Sequence, residues 1–262
     1  MRADHIGFPF TIVNGEKDNY PVVVSIPHSG TYISPIMQEQ LVDDVALPNM
    51  DWYLPELYAF LEAMGVTVLI NKVSRYVVDP NRRLSAHEGE SYKTNLIYMR
   101  TTMGNAMYRM MPSNAESKQR ISDYYMPYHC ALQNLLLKKK KYFGKAYLFD
   151  LHSFGADLGA DTVVGNGKGA TSSPEFFSMT CSLLENEGFR VQKNEPFSGG
   201  YITTYYGAES DCDAVQLELW YGAYIAHRTF GDEEFPEKDM TVFKAAQIKM
   251  EHVFRSLLGY LK

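Results

Sequence analysis

Val22-Val-Val-Ser-Ile26 runs without a break into Pro27-His-Ser-Gly30, and Ala146-Tyr-Leu-Phe-Asp-Leu151 runs in the same way into His152-Ser-Phe-Gly155. An apolar run without polar alternation reads as a strand buried on both faces, the mark of a parallel or mixed sheet covered by helices. Three more runs share the pattern: Val66–Ile70 (VTVLI), Asp161–Gly165 (DTVVG) and Ala214–Leu219 (AVQLEL). Helical spacing fills the gaps between them. Leu54, Leu57, Tyr58 and Leu61 share one face, with Pro55 suited to a first turn. Ser113 and Glu116 form a capping box ahead of the stripe Ile121, Tyr125, Tyr128, Leu132, Leu135, Leu136, which Pro127 should kink or split. Ser173, Pro174 and Gly188 frame another helix, and Met240 to Leu261 reads as the last. The expected architecture is an α/β three-layer sandwich, a mixed, mostly parallel sheet with helices on both faces. With no repeat and no linker-like stretch, residues 1–262 read as one catalytic domain.

Composition narrows the function. A net charge of −6 and a pI near 5.7 leave no basic surface for phosphate backbones, so nucleic acid is not an expected partner. The one basic block, Lys138–Lys141, reads as a solvated helix end. Cys130, Cys181 and Cys212 are far apart, which excludes a cysteine zinc site and a disulfide framework. No stretch suits a signal peptide or a bilayer span, so the cytoplasm is the expected location and no membrane partner is expected. Ser29 and Ser153 lack the G-x-S-x-G setting of a hydrolase nucleophile, and GNGKGATS lacks the Lys-Ser/Thr ending of a P-loop.

In open α/β sheets ligands collect beyond the carboxyl ends of the strands. His28 and His152 stand there on two strands, a metal-ligand arrangement whose rival reading is two structural histidines. Asp150, two residues before His152, faces the same side of its strand and can orient the imidazole. A catalytic zinc site has three protein ligands and an open position. Asp51 is the candidate third ligand, with helix N-cap as its rival role. His129 is the fallback, with a structural role as its own rival. Glu218 shares a strand face with Gln216; a carboxyl there is costly unless used, and burial should raise its pKa toward that of a general base. Its rival role is a buried partner for an arginine. Arg75, Asn81, Arg82 and Arg83 crowd one segment, and arginine forks bind carboxylates, so a small anionic substrate is expected.

Taken together, PHSG (Pro27–Gly30), Asp51, SRYVVDPNR (Ser74–Arg82), Tyr128-His129, DLHS (Asp150–Ser153), GGYIT (Gly199–Thr203) and QLEL (Gln216–Leu219) resemble the N-formylglutamate amidohydrolase family. The resemblance covers most of the chain in family order. It implies a phosphorylase/hydrolase-like fold related to carboxypeptidase-like exopeptidases and one zinc ion as cofactor. It also implies metal ligands at His28 and His152, a base at Glu218 and a carboxylate-binding pair at Asn81 and Arg82. Thr31 stands where the wider group has its carboxylate ligand. The expected reaction is hydrolysis of an N-acyl amino acid, best exemplified by N-formyl-L-glutamate. The rivals are a zinc peptidase acting on an acidic or cell-wall peptide and a non-catalytic binder of acidic metabolites.

Overall fold

The computed structural model describes residues 7–84 and 91–261. Seven strands form one sheet: β1 (Phe10–Val13), β2 (Val22–Ile26), β3 (Thr67–Asn71), β4 (Ala146–Phe154), β5 (Thr162–Gly165), β6 (Val191–Lys193) and β7 (Cys212–Trp220). Their order is β1-β3-β2-β4-β7-β5-β6. The inner four, β3, β2, β4 and β7, are mutually parallel. β1 runs antiparallel to β3, β5 antiparallel to β7, and β6 parallel to β5.

Alternation along each strand splits the core in two. Val23, Leu148 and Ala214 face the helices Met126–Phe143 and Tyr201–Gly207, where Tyr128, Leu132, Ile202 and Tyr206 are buried against them. Val22, Val24, Phe149 and Val215 point the other way, toward Phe176 and Leu184 of the helix Pro174–Asn186 and Met250 and Phe254 of Met240–Tyr260. This is the three-layer α/β sandwich with a mixed, mostly parallel sheet that the apolar runs predict. Among the described residues no helix is long and apolar enough to cross a membrane.

All five apolar runs are strands, but β4 is longer than its run, extending through His152 and Ser153 to Phe154. Its nine residues pair in register with nine of β7, His152 opposite Glu218 and Phe154 opposite Trp220, so the neighbour's length sets its end. His152 therefore lies within the strand rather than in a turn after it. β1 and β6 have no buried apolar run to announce them, being a half-exposed edge strand and a three-residue strand.

The caps behave as expected at Ser113 and Ser173, whose hydroxyls accept the N–H groups of Glu116 and Phe176. The break near Pro127 takes the form of a π-helical turn over Ile121–Tyr125, fitting a proline that brings no N–H to the helical ladder. The lysine block does close a helix, but it is not solvated throughout. Lys139 is buried, with its Nζ 2.5 Å from the Lys17 carbonyl and 3.5 Å from Asp18, because this helix end docks on the turn between β1 and β2.

The chain leaves β2 for β3 on one side and then crosses to β4 on the other. That reversal makes the carboxyl ends of β2 and β4 the sheet's switch point, where a crevice opens.

Candidate active site

His28 leaves the end of β2 in a turn that passes tightly under β3. A Cβ on Gly30 would lie 2.2 Å from the Lys72 carbonyl carbon, so only glycine lets the two backbones approach this closely. His152 sits in the facing strand, and the two imidazole centroids are 4.8 Å apart.

Between the rings stands Asp51. Its Oδ2 is 2.9 Å from His152 Nδ1 and 3.6 Å from His28 Nδ1. Asp51 is not a helix cap, because the next helix, Leu54–Leu57, starts behind Tyr53, which takes a left-handed φ of 61° and makes no side-chain cap. Hydroxyls hold three successive carbonyls around it: Tyr221 binds that of Met50, Ser29 that of Asp51 at 2.5 Å, and Tyr224 that of Trp52 at 2.8 Å. The Asp51 N–H in turn donates to the His28 carbonyl at 3.3 Å.

Each imidazole has a carboxylate at its far nitrogen. His28 Nε2 is 2.7 Å from Asp79 Oδ1, and His152 Nε2 is 3.0 Å from Asp150 Oδ2. Asp150 is itself held by Ser25 Oγ at 2.9 Å and Thr203 Oγ1 at 3.3 Å. Asp79 has no exposed surface and also accepts the Asn81 N–H at 2.7 Å, Arg75 Nη2 at 3.1 Å and the Tyr98 hydroxyl. Burial would raise its carboxyl, but His28, Arg82 and Arg75 hold it well below the ordinary carboxylate range. Sequence reading passed Asp79 over. Its signal was an acid set between Val77-Val78 and Pro80, beside arginines.

Burial likewise works against Asp51, and His152 and His28 hold its carboxyl far below the usual range. Burial alone would lower the His152 imidazole; Asp150 and Asp51 hold it well above its ordinary value. The cluster thus gathers three buried carboxylates around two imidazoles. His28 Nδ1, His152 Nδ1 and Asp51 Oδ2 are the inward-facing donors, and His28, Asp51 and His152 offer ligand atoms within 4.8 Å of one another. Mixed N and O donors backed by carboxylates suit a divalent metal ion.

Glu218 faces the same crevice from β7, opposite His152. Its Oε1 accepts from Gln216 Nε2 at 2.8 Å, and the Gln216 Oε1 accepts the Gly200 N–H at 2.6 Å. No arginine forms an ion pair with it among the described residues. Burial raises its carboxyl to about 8; His152 and Arg75 pull against that rise, while Asp51 and Asp150 add to it.

A cavity of about 480 Å³ joins His28, Asp51, His152 and Glu218 to Arg75, Asn81 and Arg82. Arg75 is buried, and its Nε has no hydrogen-bond partner among the described residues. Arg82 Nε donates to the Tyr92 carbonyl at 3.0 Å and its Nη1 to the Asn81 carbonyl at 2.8 Å. Asn81 Oδ1 accepts the Ile202 N–H at 2.8 Å, and its Nδ2 stands 3.2 Å from His152 Nε2. Arg83 is exposed and does not line the cavity.

His129 is not part of the ligand cluster. Its Nε2 lies 2.9 Å from the Pro80 carbonyl, to which it can only donate, and its Nδ1 is 3.0 Å from the Tyr206 hydroxyl. It reaches the site only through the backbone between Asp79 and Asn81. Burial lowers its pKa from 6.5 to about 4. Below pH 6.5 the unfolded chain therefore takes up a proton that the native state refuses until pH falls to about 4. Stability is untouched above that window and lost within it, by about 3 kcal/mol at roughly 1.4 kcal/mol per unit. Urea unfolding of wild type and His129→Gln from pH 7 down to pH 4 should show the wild type losing that amount of stability relative to the variant; parallel curves would contradict the assignment.

Comparison with known proteins agrees with this geometry. A model of the N-formylglutamate amidohydrolase family matches residues 20–225. The chain is 33% identical to an N-formylglutamate deformylase of Pseudomonas aeruginosa over 238 residues, spanning 86% of this chain and 87% of that protein. With the N-formylglutamate deformylase of Pseudomonas putida it shares 28% identity over 264 residues, 95% and 96% of the two chains. The crystal structure of N-formylglutamate amidohydrolase from Ralstonia eutropha JMP134 superposes with a TM-score of 0.80 over 97% of this chain and 98% of that one, at 24% identity, which supports the fold. The chain belongs to the N-formylglutamate amidohydrolase family.

Proposed function

We propose that this protein hydrolyses N-formyl-L-glutamate to formate and glutamate, with one zinc ion held by His28, Asp51 and His152. The observation that carries the reading is that this donor set, the raised carboxyl of Glu218 and the Arg75–Asn81–Arg82 group all line one cavity. The names of the Pseudomonas relatives support the substrate.

Zinc, when bound, supplies a Lewis acid that polarises a carbonyl and acidifies water. Glu218 takes a proton from the attacking water as its oxygen bonds to the formyl carbon, then passes that proton to the amine nitrogen as the C–N bond breaks. Asp79 and Asp150 keep the imidazoles of His28 and His152 oriented. Arg75, Asn81 and Arg82 hold the substrate carboxylate.

The test is to measure bound metal and formate release together. Removal of the metal by a chelator should abolish formate release, and added zinc should restore it. Turnover by metal-free protein would remove the metal from the reading, and absence of formate release from zinc-loaded protein would remove the substrate.

A further inference from the structure

Three buried polar side chains around the site are held by one short stretch, the start of the helix Tyr201–Gly207. The Ile202 N–H donates to Asn81 Oδ1 at 2.8 Å, the Thr203 hydroxyl to Asp150 Oδ2 at 3.3 Å, and the Gly200 N–H to Gln216 Oε1 at 2.6 Å. The backbone comes in close: a Cβ on Gly200 would lie 2.3 Å from Asn81 Nδ2. Asn81 and Asp150 already have a part in the reaction as read above. Gln216 has none, although it is buried on the face of β7 that carries Glu218.

The Gln216 amide fits these neighbours in one orientation. A backbone N–H only donates, so the amide oxygen faces Gly200, which turns the amide NH2 toward Glu218, 2.8 Å from Oε1. Glu218 Oε1 is therefore the acceptor of that bond. The protonated oxygen of a carboxyl is its poorer acceptor, so a fixed donor at Oε1 directs a proton to Oε2. Oε2 is also the accessible oxygen. It takes no hydrogen bond among the described residues and is not one of the buried side-chain atoms left without a partner, so it keeps open surface in the cavity that Glu218 lines.

We propose that Gln216 is a positioning residue for the base: its amide, itself anchored by Gly200, holds Oε1 of Glu218 so that Oε2 alone exchanges the proton. This rests on the hydrolytic reading above, in which Glu218 is the base, and names the atom that acts. In the first step an O–H bond of water breaks, its oxygen joins the formyl carbon and its proton bonds to Oε2. In the second that proton leaves Oε2 for the amine nitrogen as the C–N bond breaks, giving formic acid and the free amine and restoring the carboxylate. The terminal torsion of a glutamate is broad and nearly two-fold, so a carboxylate without a fixed donor would offer either oxygen over a range of angles. One anchored donor removes that freedom before the substrate arrives.

The test is a double-mutant cycle on the zinc-loaded full chain with N-formyl-L-glutamate, with kcat counted per folded, metal-loaded molecule. Gln216→Met has nearly the length of glutamine and no N–H. Gln216→Asn keeps the amide but is too short to span Gly200 and Glu218, and it serves if the methionine variant folds poorly. Each should lower kcat by about 10- to 100-fold where Glu218 is present, the worth of a hydrogen bond to a charged group, and by less than about twofold in the Glu218→Gln background, where the side chain carries no proton. Metal content should not change. A glutamine that only packs Gly200 would lower kcat by the same factor in both backgrounds. That result, or wild-type kcat in the single variants, would overturn the role of Gln216 and leave the proposed function standing. Absence of formate release from the wild type as well would overturn the proposed function itself.

Discussion

Glu218→Gln is expected to lower kcat by about 10² to 10⁴, the usual worth of general-base catalysis and equal to roughly 3 to 5 kcal/mol of barrier. The substitution keeps the side chain's shape and leaves an oxygen to accept the Gln216 amide, now at 2.8 Å. Only the capacity to take a proton is lost, so metal content should stay the same. Stability should move the opposite way from activity. Burial raises the native carboxyl from an ordinary 4.5 to about 8, so the wild-type fold loses stability as pH rises through that window, and below 4.5 the contribution is fully present. Removing the group should therefore make metal-free protein at pH 7 more stable by about 3 kcal/mol, at roughly 1.4 kcal/mol per unit. A structural carboxylate would behave in reverse, destabilised by the change but active per folded molecule. Measuring kcat, metal content and urea unfolding on one preparation separates the two, and an active, destabilised Glu218→Gln would take Glu218 out of the reaction.

Asp79→Asn is the second large effect, and it should act on the metal and on the fold together. The carboxylate binds His28 Nε2, the Asn81 N–H, Arg75 Nη2 and the Tyr98 hydroxyl. An amide in its place presents a donor to some of these donors and leaves the buried Arg75 without its anion. Removing one partner of a buried ion pair costs about 3 to 5 kcal/mol. Loss of the carboxylate behind a ligating histidine weakens metal binding by about 10- to 100-fold. Zinc titration against a competing chelator reads the second effect and urea unfolding reads the first. Wild-type affinity with wild-type stability would show that Asp79 neither orients His28 nor balances Arg75.

Signals confined to short stretches were legible in the sequence. VVVSI, AYLFDL and AVQLEL became β2, β4 and β7 because a strand buried on both faces needs an unbroken apolar run, whatever lies far along the chain. The strand-end rule then singled out His28 and His152, and an acid among the apolar residues of β7 singled out Glu218, whose raised pKa has burial as its largest cause. The rest needed contacts that no local pattern encodes. The end of β4 depends on pairing with β7. Asp51 and His129 were both candidate third ligands, and it is the fold that brings Asp51 to His152 across 101 residues and turns His129 toward Pro80. Asp79 looked like one charge in a charged segment until it met His28, 51 residues away. Apolar periodicity and turn chemistry are set by neighbours along the chain, so the sequence by itself determined the sheet and the strand ends where a site could form. Which side chains converge there depends on register and on the path of distant loops, and only the tertiary structure decided that.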